Sequence, residues 1–209
     1  MLEIKAFTFG PFETNTYVVS NEQQILLVDP ACYTPYEQQI LYNYLQPLTR
    51  SSLHPLTIVA THGHLDHLWG AKWATEQWHT PVLMHEADIP MAQAMQQQYN
   101  MFGIRAKAEE FPIKPLTPSP LHSFTLIHTP GHTPGSVCLY WSEENILISG
   151  DTLFHMGYGR TDLPGGDMAT LMDSLEKLLV LPDDVRVIPG HGPATTIGAE
   201  KRGNPFLQR

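Results

Sequence analysis

Four side chains that bind metals well crowd into one short stretch of this chain of 209 residues. The stretch, THGHLDHLWG, spans residues 61–70 and directly follows LTIVA at 56–60, a β-branched run that predicts a buried strand. A strand end, a tight loop and a helix start must therefore bring these four groups close together. The four are His62, His64, Asp66 and His67.

The spacing within this motif favours two metal ions over one. In extended backbone, residues two apart point to the same side, so His62 and His64 can bind one ion together. Asp66 continues on that side, whereas His67 is expected to turn away as the next helix begins. Four such ligands would strain a single tetrahedral ion. Two ions about 3.5–4 Å apart, the spacing of two-metal hydrolase sites, would accept them two by two.

Strands and helices are predicted in two similar rounds, without an exact sequence repeat. The first round has strands at 15–20, 23–29, 56–60 and 81–85, and helices at 35–48, 68–78 and 86–98. The second has strands at 124–130, 136–141, 145–151 and 185–190, and a helix at 167–181. This order predicts an α/β fold of two layered halves packed sheet to sheet, forming a single domain over residues 1–209.

Further ligand candidates follow predicted strands of the second round, where α/β folds gather their ligands. His132 lies in HTPGHTPGS and His191 in IPGHGP, where neighbouring glycines permit tight turns. Asp151 ends LISGD and could bridge two ions with its two oxygens. The other histidines are interpreted as ordinary surface or core residues, although one of them follows Asp151 closely. They are His54, His79, His85, His122, His128 and His155.

Periodicity fails between Tyr99 and Pro120, where FPIKPLTPSP holds four prolines that exclude a helix interior or a central strand. We expect an irregular loop over the site, and Tyr99, Phe102 and Arg105 are candidate substrate contacts. In GRTD, Arg160 and Asp162 are expected to pair and hold a loop.

Composition excludes several classes of protein. The net charge is −9, and the 12 Lys and Arg residues are scattered, which disfavours nucleic acid as a partner. The sequence has no run of 18 apolar residues and no signal-peptide pattern at its start, so we expect no membrane contact and a cytoplasmic location. Cys32 and Cys138 are expected to be unreactive free thiols. The oligomeric state stays open.

The motifs resemble those of the metallo-β-lactamase superfamily, and within it the short, single-domain bacterial type of glyoxalase II-like (hydroxyacylglutathione hydrolase-like) enzymes. The pieces fall in the family's order over most of the chain. The superfamily pieces are VDPA (28–31), THGHLDH (61–67), TPGHTPGS (129–136), SGD (149–151) and PGHG (189–192). GYGRTDLPGGD (157–167) and NPFLQ (204–208) are similar to the subgroup.

The resemblance implies a four-layer αββα sandwich, in which two mixed β-sheets pack face to face with helices outside. It implies a binuclear centre, for which two Zn²⁺ ions are expected and iron or manganese are alternatives. Asp29 is implied to orient a ligand or the motif loop. His62, His64 and His132 would bind the first ion, and Asp66, His67 and His191 the second, with Asp151 bridging the two.

The implied activity is hydrolysis of a small-molecule thioester, a hydroxyacyl thiol, by a metal-bridging hydroxide, with Asp66 as the catalytic residue. Larger glyoxalase II enzymes bind glutathione with a C-terminal helical domain, whereas only 18 residues follow His191, so the thiol carrier is open. One alternative is a mononuclear iron persulfide dioxygenase, in which His191 would not be a ligand; PGHG favours the hydrolase. A lactonase or phosphodiesterase and a non-catalytic metal-binding protein are the others.

Overall fold

The computed structural model describes residues 2–51, 56–117 and 124–207. The chain forms two compact units, Met1–Leu116 and Thr117–Arg209. Each unit contains a mixed β-sheet accompanied by helices, which confirms the predicted α/β class.

The first unit is built on a six-stranded sheet whose strands neighbour one another in chain order. The first three strands pair antiparallel and the last four pair parallel. Buried apolar residues fill the central strands, as expected for strands covered on both faces. The strands are β1 (Glu3–Phe9), β2 (Thr14–Ser20), β3 (Ile25–Val28), β4 (Leu56–Val59), β5 (Val82–Met84) and β6 (Ile113–Pro115).

Two predicted helices of this unit are interrupted. The one expected at 68–78 breaks at Gly70, whose N–H donates to the Pro30 carbonyl at 2.7 Å and not to a helical carbonyl. This close approach requires glycine, because an added Cβ would lie 2.2 Å from Cys32 Sγ. The one expected at 86–98 breaks because Pro90 suits the first turn of a new helix and not a helix interior. The helices are α1 (Pro35–Ser51), α2 (Leu65–Leu68), α3 (Ala71–Trp78), α4 (Ile89–Gln93) and α5 (Met95–Met101), with a 3-10 turn at Glu86–Asp88.

The segment 99–120 is only partly irregular, so the expectation of a loop throughout was wrong. Helix α5 continues through Met101, and Ile113–Pro115 form β6. A proline is accepted in β6 because this strand lies at the sheet edge. Residues 102–112 have no regular structure, and 118–120 lie outside the described residues, as do His54 and His122.

The second unit holds a five-stranded sheet in the order β13-β12-β9-β8-β7 and a separate hairpin, β10–β11. The helix predicted at 167–181 begins after Asp167, whose carboxylate accepts the Thr170 N–H as an N-cap. The strands are β7 (Thr125–His128), β8 (Val137–Trp141), β9 (Ile146–Gly150), β10 (Leu153–Phe154), β11 (Gly157–Tyr158), β12 (Arg186–Pro189) and β13 (Thr195–Thr196). The helices are α6 (Met168–Leu179) and α7 (Ile197–Gly203).

Both cysteines are buried free thiols, as predicted. Burial raises the pKa of Cys32 to about 12 and that of Cys138 to about 11. Both therefore stay protonated near neutral pH, where only a thiolate would react readily. A search of the described residues for membrane spans found no helix with the length and apolar character to cross a bilayer.

Candidate metal centre

The four predicted ligands of the first unit come together in and just after the loop that follows β4. All four side chains are buried. His62 Nε2 lies 3.1 Å from His64 Nδ1, and Asp66 Oδ2 lies 3.4 Å from His67 Nε2. The rings of His62 and His67 are 4.1 Å apart between centroids. The expectation that His67 turns away was wrong, because α2 begins at Leu65 and its first turn brings the ring back towards His62.

Asp29, directly after β3, organises the motif loop. Its Oδ1 accepts the Thr61 N–H at 2.7 Å, and its Oδ2 accepts the Thr61 hydroxyl at 2.7 Å and His67 Nδ1 at 2.9 Å. It is 1% exposed and has a φ of 52°, in the left-handed region that aspartate tolerates better than most residues. Through these contacts the carboxylate joins the start of the motif loop to the His67 ring.

The hydrogen bonds around Asp29 assign the protons of two imidazoles. His67 donates from Nδ1 to the Asp29 carboxylate, so its Nε2 carries the lone pair. The Thr61 hydroxyl gives its one proton to Asp29, so it accepts from His62 Nδ1 at 3.1 Å. His62 Nε2 therefore also carries a lone pair. These are the ring nitrogens nearest the neighbouring ligand atoms, which is the arrangement that a metal ion requires.

Further contacts hold the motif loop, and sequence analysis missed them. The Thr14 hydroxyl donates to Asp66 Oδ2 at 2.8 Å. The Asp88 carboxylate accepts the Gly63 N–H at 2.8 Å, and Gln98 accepts the Leu65 N–H at 2.9 Å. These partners lie 25 to 52 residues from the groups they contact, so no local pattern identifies them.

In the second unit, Asp151 places one carboxylate oxygen between two imidazoles. Its Oδ2 lies 3.5 Å from His132 Nε2 and 3.5 Å from His191 Nε2. His132 donates from Nδ1 to the Arg160 carbonyl at 2.7 Å, so His132 Nε2 carries the lone pair. The three predicted ligands of this unit are thus brought together. Both separations from Asp151 exceed the usual 2.7–3.2 Å of a hydrogen bond, and the donor set suits a divalent cation.

The predicted pairing of Arg160 with Asp162 is confirmed. Arg160 Nε and Nη2 donate to the two oxygens of Asp162 at 2.6 and 2.7 Å, a bidentate pair. These hydrogen bonds lower the pKa of Asp162 to about 2. The pair lies next to the carbonyl that fixes the His132 ring.

Of the predicted substrate contacts, Phe102 belongs to an aromatic patch. We give this name to Phe12, Tyr33, Trp69 and Phe102. The Phe12 ring lies 5.2 Å from Trp69 and 5.7 Å from Phe102, and Tyr33 lies 4.8 Å from Trp69. Three of the four are exposed, and Trp69 follows His67 by two residues.

The other two predicted contacts form none of these ring pairs, although Tyr99 interacts with Trp69 and Tyr33 of the patch. Tyr99 is partly buried against the core of the first unit, and burial raises its pKa. Arg105 is exposed.

The histidines set aside by sequence analysis have local contacts where they are described. His79 ends α3 with a φ of 50°, and His85 Nδ1 accepts the Ala87 N–H. His128 Nε2 lies 2.9 Å from the Pro134 carbonyl. His155 lies 3.5 Å from a buried carboxylate, that of Glu200.

Comparison with known proteins gives matches over nearly the whole chain. The model of the metallo-beta-lactamase superfamily matches residues 9–191. The probable metallo-hydrolase YqgX of Bacillus subtilis is 38% identical over 206 residues, covering 95% of this chain and 94% of that protein. The hydroxyacylglutathione hydrolase GloC of Haemophilus influenzae is 33% identical over 218 residues, covering 99% and 98%. The crystal structure of TTHA1623 in a di-iron-bound form has a TM-score of 0.87 and 37% identity, covering 97% of this chain and 100% of that one.

Proposed function

We propose that this chain, which belongs to the metallo-β-lactamase superfamily, is a metal-dependent hydrolase that cleaves thioesters. The predicted family is confirmed by the match over residues 9–191, and the predicted fold by the structural likeness at a TM-score of 0.87. The observation that supports a metal-dependent hydrolase is the orientation of its imidazole rings. Their Nδ1 atoms donate to other groups of the chain, and their Nε2 atoms lie near neighbouring ligand atoms. The likeness to a hydroxyacylglutathione hydrolase supports a thioester as the substrate.

We assign the metal ligands as the family resemblance implies, within one hydrolase domain over residues 1–209. Support comes from the donor geometry within each unit and from a family match that extends over both. Two zinc ions are the proposed cofactors, and the di-iron form of a similar protein supports iron as the alternative. The proposed ligands are His62, His64 and His132 for one ion and Asp66, His67 and His191 for the other, with Asp151 shared.

When bound, two such cations lower the pKa of a water molecule and polarise the carbonyl oxygen under attack. The chain itself supplies orientation. Asp29 holds the His67 ring, the Arg160 carbonyl holds the His132 ring, and Thr14 fixes the rotation of the Asp66 carboxylate. We propose Asp66 as the group that orients the attacking water or accepts its proton.

A thioester suits this site because its leaving group needs little help. A thiol has an ordinary pKa of about 8.5, so a thiolate departs without a dedicated general acid. We propose that the aromatic patch contacts an apolar part of the substrate, with Phe102 as the predicted contact that belongs to it. Contacts from Tyr99 and Arg105, a cytoplasmic location and the exclusion of nucleic acid stay predictions from the sequence.

The test begins with metal analysis of the purified protein, followed by assays on a hydroxyacyl thioester of glutathione, other hydroxyacyl thioesters, a lactone and a phosphodiester. A persulfide is assayed by oxygen consumption. We expect two metal ions per chain and thioester turnover that a chelator removes and Zn²⁺ restores.

The matched variants are His64→Ala, Asp66→Ala and, as control, His128→Ala, which changes a histidine outside the ligand set. We expect the first two to lose at least about 100-fold in turnover and the control to stay near wild type. Full activity in the ligand variants would refute the proposal. One iron per chain with oxygen uptake would establish the dioxygenase instead.

A further inference from the structure

We infer that Glu200, in helix α7, is a positioning residue for the three ligands of the second unit, Asp151, His132 and His191. Its hydrogen bonds go to Thr195, Met156 and Asn204 and not to these ligands, and its proposed effect passes through the hairpin β10–β11. The inference rests on the metal centre proposed above.

Glu200 is a fully buried carboxylate with 0% exposure and a complete set of donors. Its Oε1 accepts the Thr195 hydroxyl at 2.6 Å, and its Oε2 accepts the Met156 N–H at 2.9 Å and Asn204 Nδ2 at 2.8 Å. His155 Nδ1 lies 3.5 Å from Oε1. A buried charge is costly unless it is satisfied in this way, so the network fixes the carboxylate in one place.

The Met156 N–H is the contact that links Glu200 to the hairpin. Met156 lies in the turn between β10 and β11 and has a φ of 55°, a left-handed conformation that side chains rarely adopt. Asn204 adds a second link, since its Nδ2 donates both to Glu200 and to the Gly157 carbonyl at 3.2 Å. Glu200 and Asn204 together hold a turn that the local sequence does not favour.

The hairpin β10–β11 adjoins Asp151 and the group that holds His132. β10 begins two residues after Asp151, and the Ser149 hydroxyl donates to the Leu153 carbonyl at 2.7 Å. Past β11, Gly159 packs so closely that an added Cβ would lie 1.8 Å from the Asp151 carbonyl oxygen. The next residue, Arg160, supplies the carbonyl that holds His132 Nδ1.

The third ligand meets the hairpin through an aromatic contact. The Phe154 ring, in β10, lies edge-on to the His191 ring at 6.2 Å and 85°. A displaced turn at Met156 would therefore move the groups that contact or adjoin Asp151, His132 and His191, and would move them together.

Two substitutions separate this positioning effect from a loss of charge. Glu200→Ala removes the acceptor for the part-buried Met156 N–H and for the buried Asn204 Nδ2. Glu200→Gln keeps an oxygen for those two donors, and its amide can donate to Thr195, whose hydroxyl can turn to accept. The glutamine variant should thus preserve the turn.

The experiment titrates the full-length, metal-free protein with Co²⁺ and follows its visible absorption, which reports the ligand geometry. We expect Glu200→Ala to weaken Co²⁺ binding about 10–100-fold, the range for groups that support metal ligands, and to change the spectrum. Glu200→Gln should bind within about threefold of wild type. Leu178→Ala, a buried core residue of the same unit, is the control for a general loss of stability, with melting temperatures recorded for all variants.

Unchanged Co²⁺ affinity and spectrum in Glu200→Ala would overturn the inference. So would an equal loss in Leu178→Ala at the same drop in melting temperature, or in Glu200→Gln. These outcomes need no thioester assay, so the inference can still be tested if the proposed substrate proves wrong. A wild-type protein that binds no Co²⁺ would refute the metal centre itself, and this inference with it.

Discussion

Replacing Asp29 by asparagine tests whether a carboxylate decides which nitrogen of His67 can bind a metal. The Asp29 oxygens face three donors, namely the Thr61 N–H, the Thr61 hydroxyl and His67 Nδ1–H. An asparagine has one oxygen and one NH₂ group. In either orientation the NH₂ faces a donor, because Oδ1 and Oδ2 both accept in the wild type.

The expected magnitude follows from the contact that is lost. If the amide oxygen keeps the Thr61 N–H, the NH₂ faces His67 and favours the tautomer with its proton on Nε2. A hydrogen bond to a charged group contributes about 1.5–3 kcal/mol, and a buried donor without an acceptor costs about 1–3 kcal/mol. Loss of a group that supports a ligand typically weakens metal binding 10–100-fold, which is about 1.4–2.7 kcal/mol. The two estimates agree.

The assay is chelator competition for Zn²⁺, combined with thioester turnover and the melting temperature of the metal-free protein. Leu41→Ala, a fully buried core change in the same unit, is the control for stability. We expect Asp29→Asn to lose metal affinity and turnover together, and Leu41→Ala to lose only stability. Wild-type metal affinity in Asp29→Asn would refute the tautomer argument.

Three further predictions follow from single contacts. Thr14→Val removes the hydrogen bond to Asp66 and should lower kcat about 10-fold at unchanged KM, whereas Thr14→Ser keeps the hydroxyl and should keep kcat near the wild-type value. Steady-state kinetics that show equal losses in both variants would contradict this prediction. Partial burial raises the pKa of Glu37, but hydrogen bonds from Gly10, Thr34 and Tyr33 lower it overall, so its stabilisation is present above the ordinary glutamate pKa and is lost as pH falls through the depressed folded value. The melting-temperature difference between wild type and Glu37→Gln should shrink as pH is lowered through that window, and a constant difference would contradict the prediction. Cys32 and Cys138 should resist a thiol reagent at neutral pH in the folded protein and react in denaturant; rapid labelling of the folded protein would show that a thiol is accessible.

The proposed metal ligands could be predicted from the sequence because their motifs begin at or soon after strand ends. The end of a strand fixes the position of the backbone, and histidine and aspartate are residue types that bind metals. Local patterns therefore predict His62, Asp151 and His191 as ligands. The helix break at Gly70 could not be predicted, because it depends on Pro30 and Cys32, which lie 40 and 38 positions earlier in the chain. The short elements β10, β11, β13 and α7 have two to seven residues and no periodicity long enough to detect.

The groups that orient the ligands escape sequence analysis for a different reason. Thr14, Asp88, Gln98 and Glu200 each hydrogen-bond to a partner distant in the chain, and the local sequence around a polar residue does not identify such a partner. Asp29 is the exception, because the resemblance of its VDPA turn to the family marked it.

Substrate contacts are still less readable, because the aromatic patch assembles from four separate segments. Glu37 explains how two of them meet: its Oε1 accepts the Gly10 N–H and its Oε2 accepts the N–H groups of Tyr33 and Thr34. One carboxylate thus holds both the β1–β2 turn that carries Phe12 and the loop that carries Tyr33. Changes in those loops could alter the patch without touching a metal ligand. Chains with the same ligand motif can therefore differ in substrate, which is why the motif at 61–70 predicts the metal centre and leaves the acyl group and its thiol open.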